Sequence, residues 1–406
     1  MKRAVLTAVL VSGLMGVVGA ADWPAYLGAK QDGYSAETGW RTNWDDEEPE
    51  VLWKAELGKG MASFVVADGL AVTTGNVGDR DTVWCFDAKS GELKWKHVYA
   101  EDLAPKYYEG GTSATPTISE GRVYAASKSG KLHCLDLKSG DVVWKVDYVA
   151  DLDGKYQTWG WASAPRVVGD LVLADPGATG RSVVALDKKT GKAVWKSGSA
   201  QPGYCAPVVY KHAGEDAVAY FHGKTLAGYR LEDGKQLFEI GWKTKYDVNA
   251  SPPLFRDGRF FVSSGYGTGA GGIDLTGSKA KVAWTDKELQ LQFQNALLVD
   301  DGVVAMFGDK GKLKGNLCWV EHATGKVSWS AKLGGDRGTV LMVGGKLIVF
   351  TERGELVVGE VSKSGFEEIS RAQVLSKTCW AAPAFSDGMI FVRNNAGKAV
   401  CLDVSK

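Results

Sequence analysis

The sequence predicts an all-β fold: an eight-bladed β-propeller of four-stranded antiparallel blades, closed by an N-terminal strand that completes the last blade. A phrase of the form apolar-x-Asp-x-x-Ser/Thr-Gly-x-x-x-Trp recurs along the chain, and a second hairpin pattern lies between its copies. Two hairpins in each period give four strands. Four-stranded repeats with a period of roughly 40 to 50 residues are typical of propeller blades.

The recurring phrase is clearest in "CFDAKSGELKWK" (85–96), "CLDLKSGDVVWK" (134–145) and "ALDKKTGKAVWK" (185–196). Each copy predicts a β-hairpin: an apolar strand, a short connection and a second strand that carries the aromatic residue. The glycine is needed because such a turn places one residue at positive φ, where a Cβ would clash. We expect each aromatic residue to fill the wedge between two blades, with the indole N–H bonded to a turn of the next blade. These positions are Trp53, Trp95, Trp144, Trp195, Phe238, Trp284 and Trp329.

The second hairpin pattern decides the number of blades. It reads apolar strand, Asp-Gly or a similar turn, apolar strand, as in "SPPLFRDGRFFVSS" (251–264). Its copies begin near Ser63, Ser113, Ser163, Cys205, Ser251, Asn295, Thr339 and Ala381, which predicts eight blades. Two separate β domains are the alternative, but no Pro- or Ser-rich linker interrupts the period.

The two ends of the repeat region predict how the ring closes. "KAVCLDV" (398–404) supplies only a third strand for the last blade, and "EVLWKAEL" (50–57) carries Trp53 before the first complete blade. We therefore expect residues 50–57 to form the outer strand of the last blade, which leaves no long exposed sheet edge. The expected organisation is a signal peptide (1–20), an N-terminal extension (21–49) and the propeller (50–406).

The first 20 residues have the pattern of a secretory signal peptide. Lys2 and Arg3 precede an uncharged, mostly apolar run (4–18) that ends near the small residues Gly19 and Ala20. This run is shorter than the roughly 20 residues of a membrane-spanning helix. Because the first cysteine is Cys85, no lipid can be attached near the cleavage site. We expect an exported bacterial protein, periplasmic or secreted, that is soluble and monomeric without a transmembrane or lipid anchor.

The charges and cysteines exclude some functions. The chain has 48 basic and 48 acidic residues, so nothing in its net charge indicates binding to nucleic acid. The six cysteines include no C-x-x-C motif and no adjacent pair. Cys85, Cys134 and Cys401 each lie two residues before the repeated Asp, and this shared register favours small buried residues over a cross-link or a metal site.

The repeats and the opening "DWPAYLGAKQDGYS" (22–35) resemble the β-propeller repeat of the pyrroloquinoline quinone (PQQ) type. That family includes quinoprotein alcohol dehydrogenases and the propeller lipoprotein of the outer-membrane β-barrel assembly machinery. In the dehydrogenases, the resemblance implies a quinone stacked between a Trp and a ring of two adjacent cysteines, with Ca²⁺ held by Glu and Asn and an Asp as base. This sequence has no adjacent cysteines and no matching Asp context. The resemblance therefore predicts the fold, and PQQ with calcium lacks its usual site residues.

Other motifs carry little functional information. Gly267, Gly269 and Gly272 match a dinucleotide fingerprint, but no helix pattern follows, so we expect a flexible loop between the second and third strands of blade 5. "VADLDGK" (149–155) lacks oxygen ligands at both ends of a calcium loop. The five histidines show no zinc-binding spacing, and no G-x-S-x-G is present.

One candidate site remains, in the loops that enter the innermost strands and converge on one mouth of the channel. Aromatic, amide and guanidinium groups gathered in a funnel suit a flat or sugar-like ligand. The alternative is packing at the rim with a polar, water-filled lining. The candidate residues are Trp159, Trp161, Tyr204, Asn249, Asn295, Arg337 and Trp380.

These observations favour a non-catalytic scaffold or binding protein of the cell envelope that needs no cofactor. Its expected partners are envelope proteins or a small ligand. A PQQ-dependent alcohol or sugar dehydrogenase that uses the funnel is the enzymatic alternative, and a carbohydrate-binding propeller is a third possibility.

Overall fold

The computed structural model describes residues 22–405, and its strands form eight sheets that follow one another around a central axis. Each sheet contains a blade of four antiparallel strands, and the sheet of blade 7 has the short strand Tyr34–Ser35 as a fifth. The order from the axis outward follows the chain in blades 1 to 7. The predicted all-β, eight-bladed propeller is therefore confirmed. The predicted signal peptide (1–20) lies outside the described residues. No helix within residues 22–405 has the length and hydropathy that a membrane crossing needs.

Each of the first four blades runs from its innermost strand outward. Blade 1 contains Val65–Ala67, Leu70–Asn76, Arg80–Asp87 and Leu93–Ala100; blade 2 contains Thr117–Ser119, Arg122–Ala126, Lys131–Asp136 and Val142–Asp147; blade 3 contains Arg166–Val168, Leu171–Ala174, Val183–Asp187 and Ala193–Ser197; and blade 4 contains Val208–His212, Glu215–Phe221, Thr225–Arg230 and Gln236–Gly241.

The last four blades follow the same order, and one 3₁₀ turn, Lys245–Asp247, lies in the loop between blades 4 and 5. Blade 5 contains Leu254–Arg256, Arg259–Ser264, Gly269–Asp274 and Lys281–Asp286; blade 6 contains Leu297–Val299, Gly302–Phe307, Asn316–Glu321 and Val327–Lys332; blade 7 contains Gly338–Val343, Lys346–Thr351, Glu355–Ser362 and Gly365–Gln373; and blade 8 contains Ala384–Ser386, Met389–Arg393, Lys398–Asp403 and the N-terminal strand Glu50–Glu56.

The ring closes as the sequence predicts, because the N-terminal strand is the outer strand of blade 8. Val51 pairs with Leu402 and Trp53 with Cys401, and the register shifts between the two pairs. Blade 1 has the same shift between its two outer strands, at Cys85 and Phe86. A strand from the other end of the described chain thus reproduces the irregularity of a continuous blade, including its β-bulge.

Tryptophan docking joins successive blades. Five indole rings, those of Trp53, Trp95, Trp144, Trp195 and Trp284, pack on the glycine in the turn of the next blade; a Cβ at Gly140, for example, would lie 2.7 Å from atoms of the Trp95 ring. The turn glycine therefore meets two requirements, positive φ and space for the indole, of which the sequence indicated only the first. The indole N–H donates to a carbonyl oxygen of the same turn in the pairs Trp53–Ala88 (2.9 Å), Trp95–Leu137 (2.8 Å), Trp144–Lys188 (3.0 Å), Trp195–Leu231 (2.9 Å), Trp284–His322 (3.3 Å) and Trp329–Ser362 (2.9 Å).

Apolar clusters fill the wedges between neighbouring blades. Val65, Cys85 and Trp95 of blade 1 pack with Val123 and Leu135 of blade 2, and similar clusters join the other pairs. The largest cluster joins blades 7, 8 and 1 with the N-terminal residues. All six cysteines lie within the described residues, where they are buried and unpaired. For Cys85, Cys134 and Cys401 this agrees with the small apolar role expected from their shared register.

The glycine-rich run of blade 5 differs from the expected flexible loop. Only residues 265–268 form the turn, whereas Gly269–Asp274 is the third strand of the blade. A Cβ at Gly271 would lie 2.6 Å from the Trp242 ring, and one at Gly272 would lie 2.3 Å from the Trp284 ring. These glycines are therefore explained by two indoles that pack against the strand.

An N-terminal segment (22–35) crosses the channel. Trp23 forms a β-bridge with Val66 of blade 1, and the Pro24 carbonyl accepts the Ile118 N–H of blade 2 at 2.7 Å. At the other end, Tyr34–Ser35 runs parallel to the innermost strand of blade 7. The segment therefore spans the central channel between blades 1 and 2 on one side and blade 7 on the other.

Candidate functional site

A cavity of 640 Å³ opens among the loops that enter the innermost strands, and the Tyr26 side chain of the N-terminal segment (22–35) contributes to its wall. Small residues two positions before the inner strands, such as Ala164, Ala206 and Ala382, also line it. We call this cavity the funnel. Nine aromatic side chains line it: Tyr26, Tyr107, Tyr108, Trp159, Tyr204, Tyr246, Tyr266, Phe293 and Trp380.

Several funnel rings hold one another edge to face. The Trp159 ring lies 5.9 Å from Tyr204 and 6.5 Å from Tyr246, and Tyr246 lies 5.3 Å from Tyr266, with interplanar angles of 73°, 78° and 85°. Gln292 Nε2 donates to the Tyr266 hydroxyl at 2.6 Å. Such pairs keep ring faces and edges at set angles, so this side of the funnel is shaped before anything binds.

Three of the funnel tyrosines stand on a strained backbone. Tyr107, Tyr246 and Tyr266 have φ values of 65°, 70° and 58°, in the left-handed region that bulky residues rarely adopt. Tyr107 and Tyr246 also remain 91% and 56% exposed. Burial therefore does not compensate for their strain. Strain of this kind gathers at sites where function fixes the residue and its position.

The electrostatic character of the funnel is nearly neutral. Among the described residues, no aspartate or glutamate lines it, and Lys106 is its one charged side chain. Burial raises the pKa of the Tyr26, Tyr108 and Tyr204 phenols above their ordinary values, so these hydroxyls stay protonated. The funnel thus offers ring faces and neutral hydroxyl groups for hydrogen bonding. The Trp380 indole N–H is covered and has no acceptor in the described chain, so it could donate to a bound group.

The structure brings three of the seven predicted site residues together on the funnel wall: Trp159, Tyr204 and Trp380. Arg337 lies behind the wall, with its guanidinium 5.9 Å from the Phe293 ring and ion pairs to Asp309 at 3.3 Å and Glu352 at 3.4 Å. It therefore supports Phe293 from outside the cavity.

The other three predicted residues are structural joints away from the cavity wall. Trp161 is 2% exposed, and its Nε1 donates to the Asp175 carbonyl at 3.1 Å. Asn249 Nδ2 donates to the His222 and Trp242 carbonyl oxygens, and Asn249 Oδ1 accepts a hydrogen bond from the Ser264 hydroxyl. The Asn295 amide exchanges two hydrogen bonds with the Val340 backbone, which joins blade 6 to blade 7.

Sequence reasoning missed Tyr26, Tyr107, Tyr108, Tyr246, Tyr266 and Phe293. It considered the residues next to each inner strand, whereas most of these rings lie earlier in the same loops or, for Tyr266, in a hairpin turn. Adjacent tyrosines in the long loop after blade 1 were a usable signal. Tyr26 had none, because no blade repeat predicts a segment that crosses the channel.

The funnel residues do not fit the PQQ and metal site of the quinoprotein dehydrogenases. In residues 22–405, no three His, Cys, Asp or Glu side chains gather closely enough to hold a metal ion. Cys205 is the one cysteine in the described funnel wall, and burial raises the pKa of its thiol far above the ordinary value. Neither a cysteine pair nor carboxylate ligands are available there.

Comparisons with known proteins extend these findings. The family model described as "Outer membrane protein assembly factor BamB" matches residues 101–241 and 239–406. No curated protein sequence matches the chain. Among solved structures, BamB from Moraxella catarrhalis has 14% identity and a TM-score of 0.60, with 87% of this chain and 97% of that chain covered.

Two dehydrogenase structures are also similar in fold. Quinohemoprotein alcohol dehydrogenase from Comamonas testosteroni has 14% identity and a TM-score of 0.68, covering 95% of this chain and 81% of that one. A europium-containing methanol dehydrogenase has 12% identity and the same TM-score of 0.68, covering 92% of this chain and 89% of that one. At these identities the likeness concerns the fold alone.

Proposed function

This chain belongs to the family described as outer membrane protein assembly factor BamB, and we propose that it is a non-catalytic, exported binding protein of the cell envelope. Its funnel receives a ring-bearing group of the partner. The observation that carries this proposal is the set of nine aromatic side chains around one cavity, three of them on a left-handed backbone. Strained, exposed rings lower the stability of the fold, so a binding role is the best reason to keep them.

The composition of the funnel supports binding over catalysis. General acid–base chemistry needs a titratable group near the reacting atoms. Among the described residues, the funnel offers phenols with raised pKa values, one buried thiol and one lysine. Ring stacking with neutral hydrogen bonds remains available, which is how apolar cavities with a few polar groups hold ligands.

The experiment places a photo-reactive amino acid at Tyr107, which is 91% exposed at the funnel rim. After irradiation in an envelope fraction, we expect one dominant cross-linked product. The matched control carries the same group at Val194, which is 55% exposed on the outer strand of blade 3. Identical products from both positions would contradict a binding role for the funnel.

Substitutions then separate binding from folding. Trp159→Ala should weaken capture at least about tenfold, because a ring face in the funnel is lost. Trp161→Ala should lower the free energy of unfolding by about 3–5 kcal/mol, because its indole is buried between blades 2 and 3. Its effect on capture by folded protein should be small. Equal loss of capture in both variants would indicate that the effect comes from folding.

Carbohydrate is the second candidate, favoured by the tyrosine hydroxyls and Gln292 beside the Trp159 and Trp380 rings. Oligosaccharides should then quench tryptophan fluorescence in the intact protein and not in Trp159→Ala. The quinone-dependent alternative is tested separately by adding PQQ and Ca²⁺, desalting, and assaying alcohol-dependent dye reduction. Retained quinone absorbance together with dye reduction would overturn the non-catalytic proposal.

A further inference from the structure

A second cavity of 170 Å³ lies next to the funnel, between the N-terminal segment (22–35) and the inner strands of blades 3 to 6. Tyr26 and Ala206 line both cavities, so the two are neighbours along the channel. The volume is well above the roughly 10–15 Å³ that one water molecule needs. We call it the lower cavity.

Arg166, the first residue of the inner strand of blade 3, lines the lower cavity without a partner. Its Nε is covered from solvent and has no hydrogen-bond acceptor. None of the ion pairs within residues 22–405 includes Arg166. Arg393 provides the contrast: this buried guanidinium donates to the backbone carbonyls of Thr74 and Gly58. A covered N–H donor without an acceptor is costly, and the half-buried guanidinium has no acid or carbonyl partner in the described chain to offset that cost.

The lining of the lower cavity indicates which anion fits. A guanidinium presents parallel N–H donors that match a carboxylate or a phosphate. The Asp32 carboxylate and the Lys30 ammonium group also line the cavity, so with Arg166 the lining carries one net positive charge, which suits a singly charged anion better than a doubly charged one. Most of the remaining wall is apolar, with Pro207, Pro252 and Leu254 among its residues.

We propose that the lower cavity binds a small organic monocarboxylate, with the carboxylate on the Arg166 guanidinium and a compact apolar body against the proline-rich wall. Burial lowers the pKa of Arg166 only to about 10, so the side chain remains cationic at neutral pH. The site is separate from the funnel and does not depend on the proposed function.

Asp32 carries a negative charge that opposes the binding of an added carboxylate to Arg166. Its Oδ1 accepts the Tyr34 N–H at 3.1 Å, which holds the carboxylate in a turn of the N-terminal segment. It is not ion-paired with Arg166, yet it is close enough to favour the charged guanidinium. Removing this charge should therefore strengthen the binding of an added carboxylate.

The test is calorimetric titration of the full chain with butyrate at constant ionic strength, with phosphate as the comparison anion. Butyrate should bind the wild type, and Arg166→Met should weaken it at least about tenfold. Arg166→Lys keeps the positive charge but lacks the parallel N–H donors of the guanidinium, so its affinity for butyrate should be intermediate. Asp32→Asn should bind butyrate more tightly than the wild type. Arg256→Met is the matched control, since Arg256 lies on the inner strand of blade 5 outside this cavity.

Each outcome decides the proposal. Absence of butyrate binding by the wild type would overturn it, and so would equal weakening in Arg166→Met and Arg256→Met. Tighter binding of phosphate than of butyrate would exclude the monocarboxylate class. Because the cross-linking at Tyr107 reports on the funnel, that experiment and this one can fail independently.

Discussion

The contact between an indole and a turn glycine is the smallest unit that holds this ring together. It appears where the outer strand of one blade meets the turn of the next, as with Trp95 on Gly140. The tryptophan supplies apolar area and one hydrogen bond, and the glycine supplies the space for the ring. Either residue alone would leave a gap or a clash, which explains why the sequence repeats both.

Substitution of the turn glycine tests this unit. Gly140→Ala should lower the free energy of unfolding by more than Gly121→Ala, because both residues have positive φ but only the Gly140 Cβ would meet the Trp95 ring. Backbone strain alone costs roughly 1–2 kcal/mol, and the clash adds to it. Urea unfolding of both variants gives the comparison. Equal losses would mean that the indole does not need the glycine.

The left-handed tyrosines allow a second test at the residue scale. Tyr246→Asn should raise the free energy of unfolding by up to about 1 kcal/mol, because Asn tolerates the left-handed region better than a bulky ring. Tyr156→Asn is the control, since Tyr156 is similarly exposed (51%) but has an ordinary φ. Thermal unfolding of both would show the difference. No gain in Tyr246→Asn relative to the control would argue against stored strain.

Asp175 predicts a dependence on pH. Burial raises its pKa from 3.8 to about 8, so the folded chain keeps a proton that the unfolded chain releases above about pH 4. The free energy of unfolding should therefore fall as pH rises toward 8, by at most about 1.4 kcal/mol per pH unit. Between pH 6.5 and 8, Asp175→Asn should flatten this slope. Urea unfolding of the wild type and of Asp175→Asn at several pH values gives the two slopes of the free energy of unfolding against pH. Identical slopes would contradict the assignment of this pH dependence to Asp175.

At the scale of elements, the strand Glu50–Glu56 closes the ring. Trp53→Ala should cost about 3–5 kcal/mol, because its indole packs on Gly91 and donates to the Ala88 carbonyl. Hydrogen exchange should then accelerate first in the neighbouring strand Lys398–Asp403. Unchanged exchange in that strand would show that the closing strand does not hold blade 8.

The elements also show how far sequence reasoning reaches. The blades were predictable because hairpin signals and docking residues repeat, and each copy confirms the others. The sequence signal for the docking turn of blade 7 is weaker. There the Trp329 indole N–H donates to the Ser362 carbonyl oxygen, in a hairpin that is longer than its equivalents in other blades. Loops follow no repeat, so Trp159 could be placed at the mouth while Asn249 and Asn295 could not be told from joints between elements. The side-chain amides of both residues form hydrogen bonds with partners that only the tertiary fold brings near.

At the scale of the whole molecule, the N-terminal segment (22–35) contributes to the walls of both cavities. Trp23 and Leu27 anchor it in the largest apolar cluster, and Tyr26 contributes to both cavities. The blades form a rigid ring, and the loops and the N-terminal segment contribute aromatic and charged side chains to the two cavities. This division of roles is common in folds that serve many functions.

Binding in the funnel can be followed directly by ¹⁹F NMR of the protein labelled with 5-fluorotryptophan and titrated with an envelope fraction. We expect the Trp159 and Trp380 resonances, assigned by substitution to Phe, to shift on binding. The docking residues Trp53, Trp95 and Trp144, which lie outside the funnel wall, should keep their resonances. Shifts confined to the docking tryptophans, or none at Trp159 and Trp380, would contradict a funnel that binds.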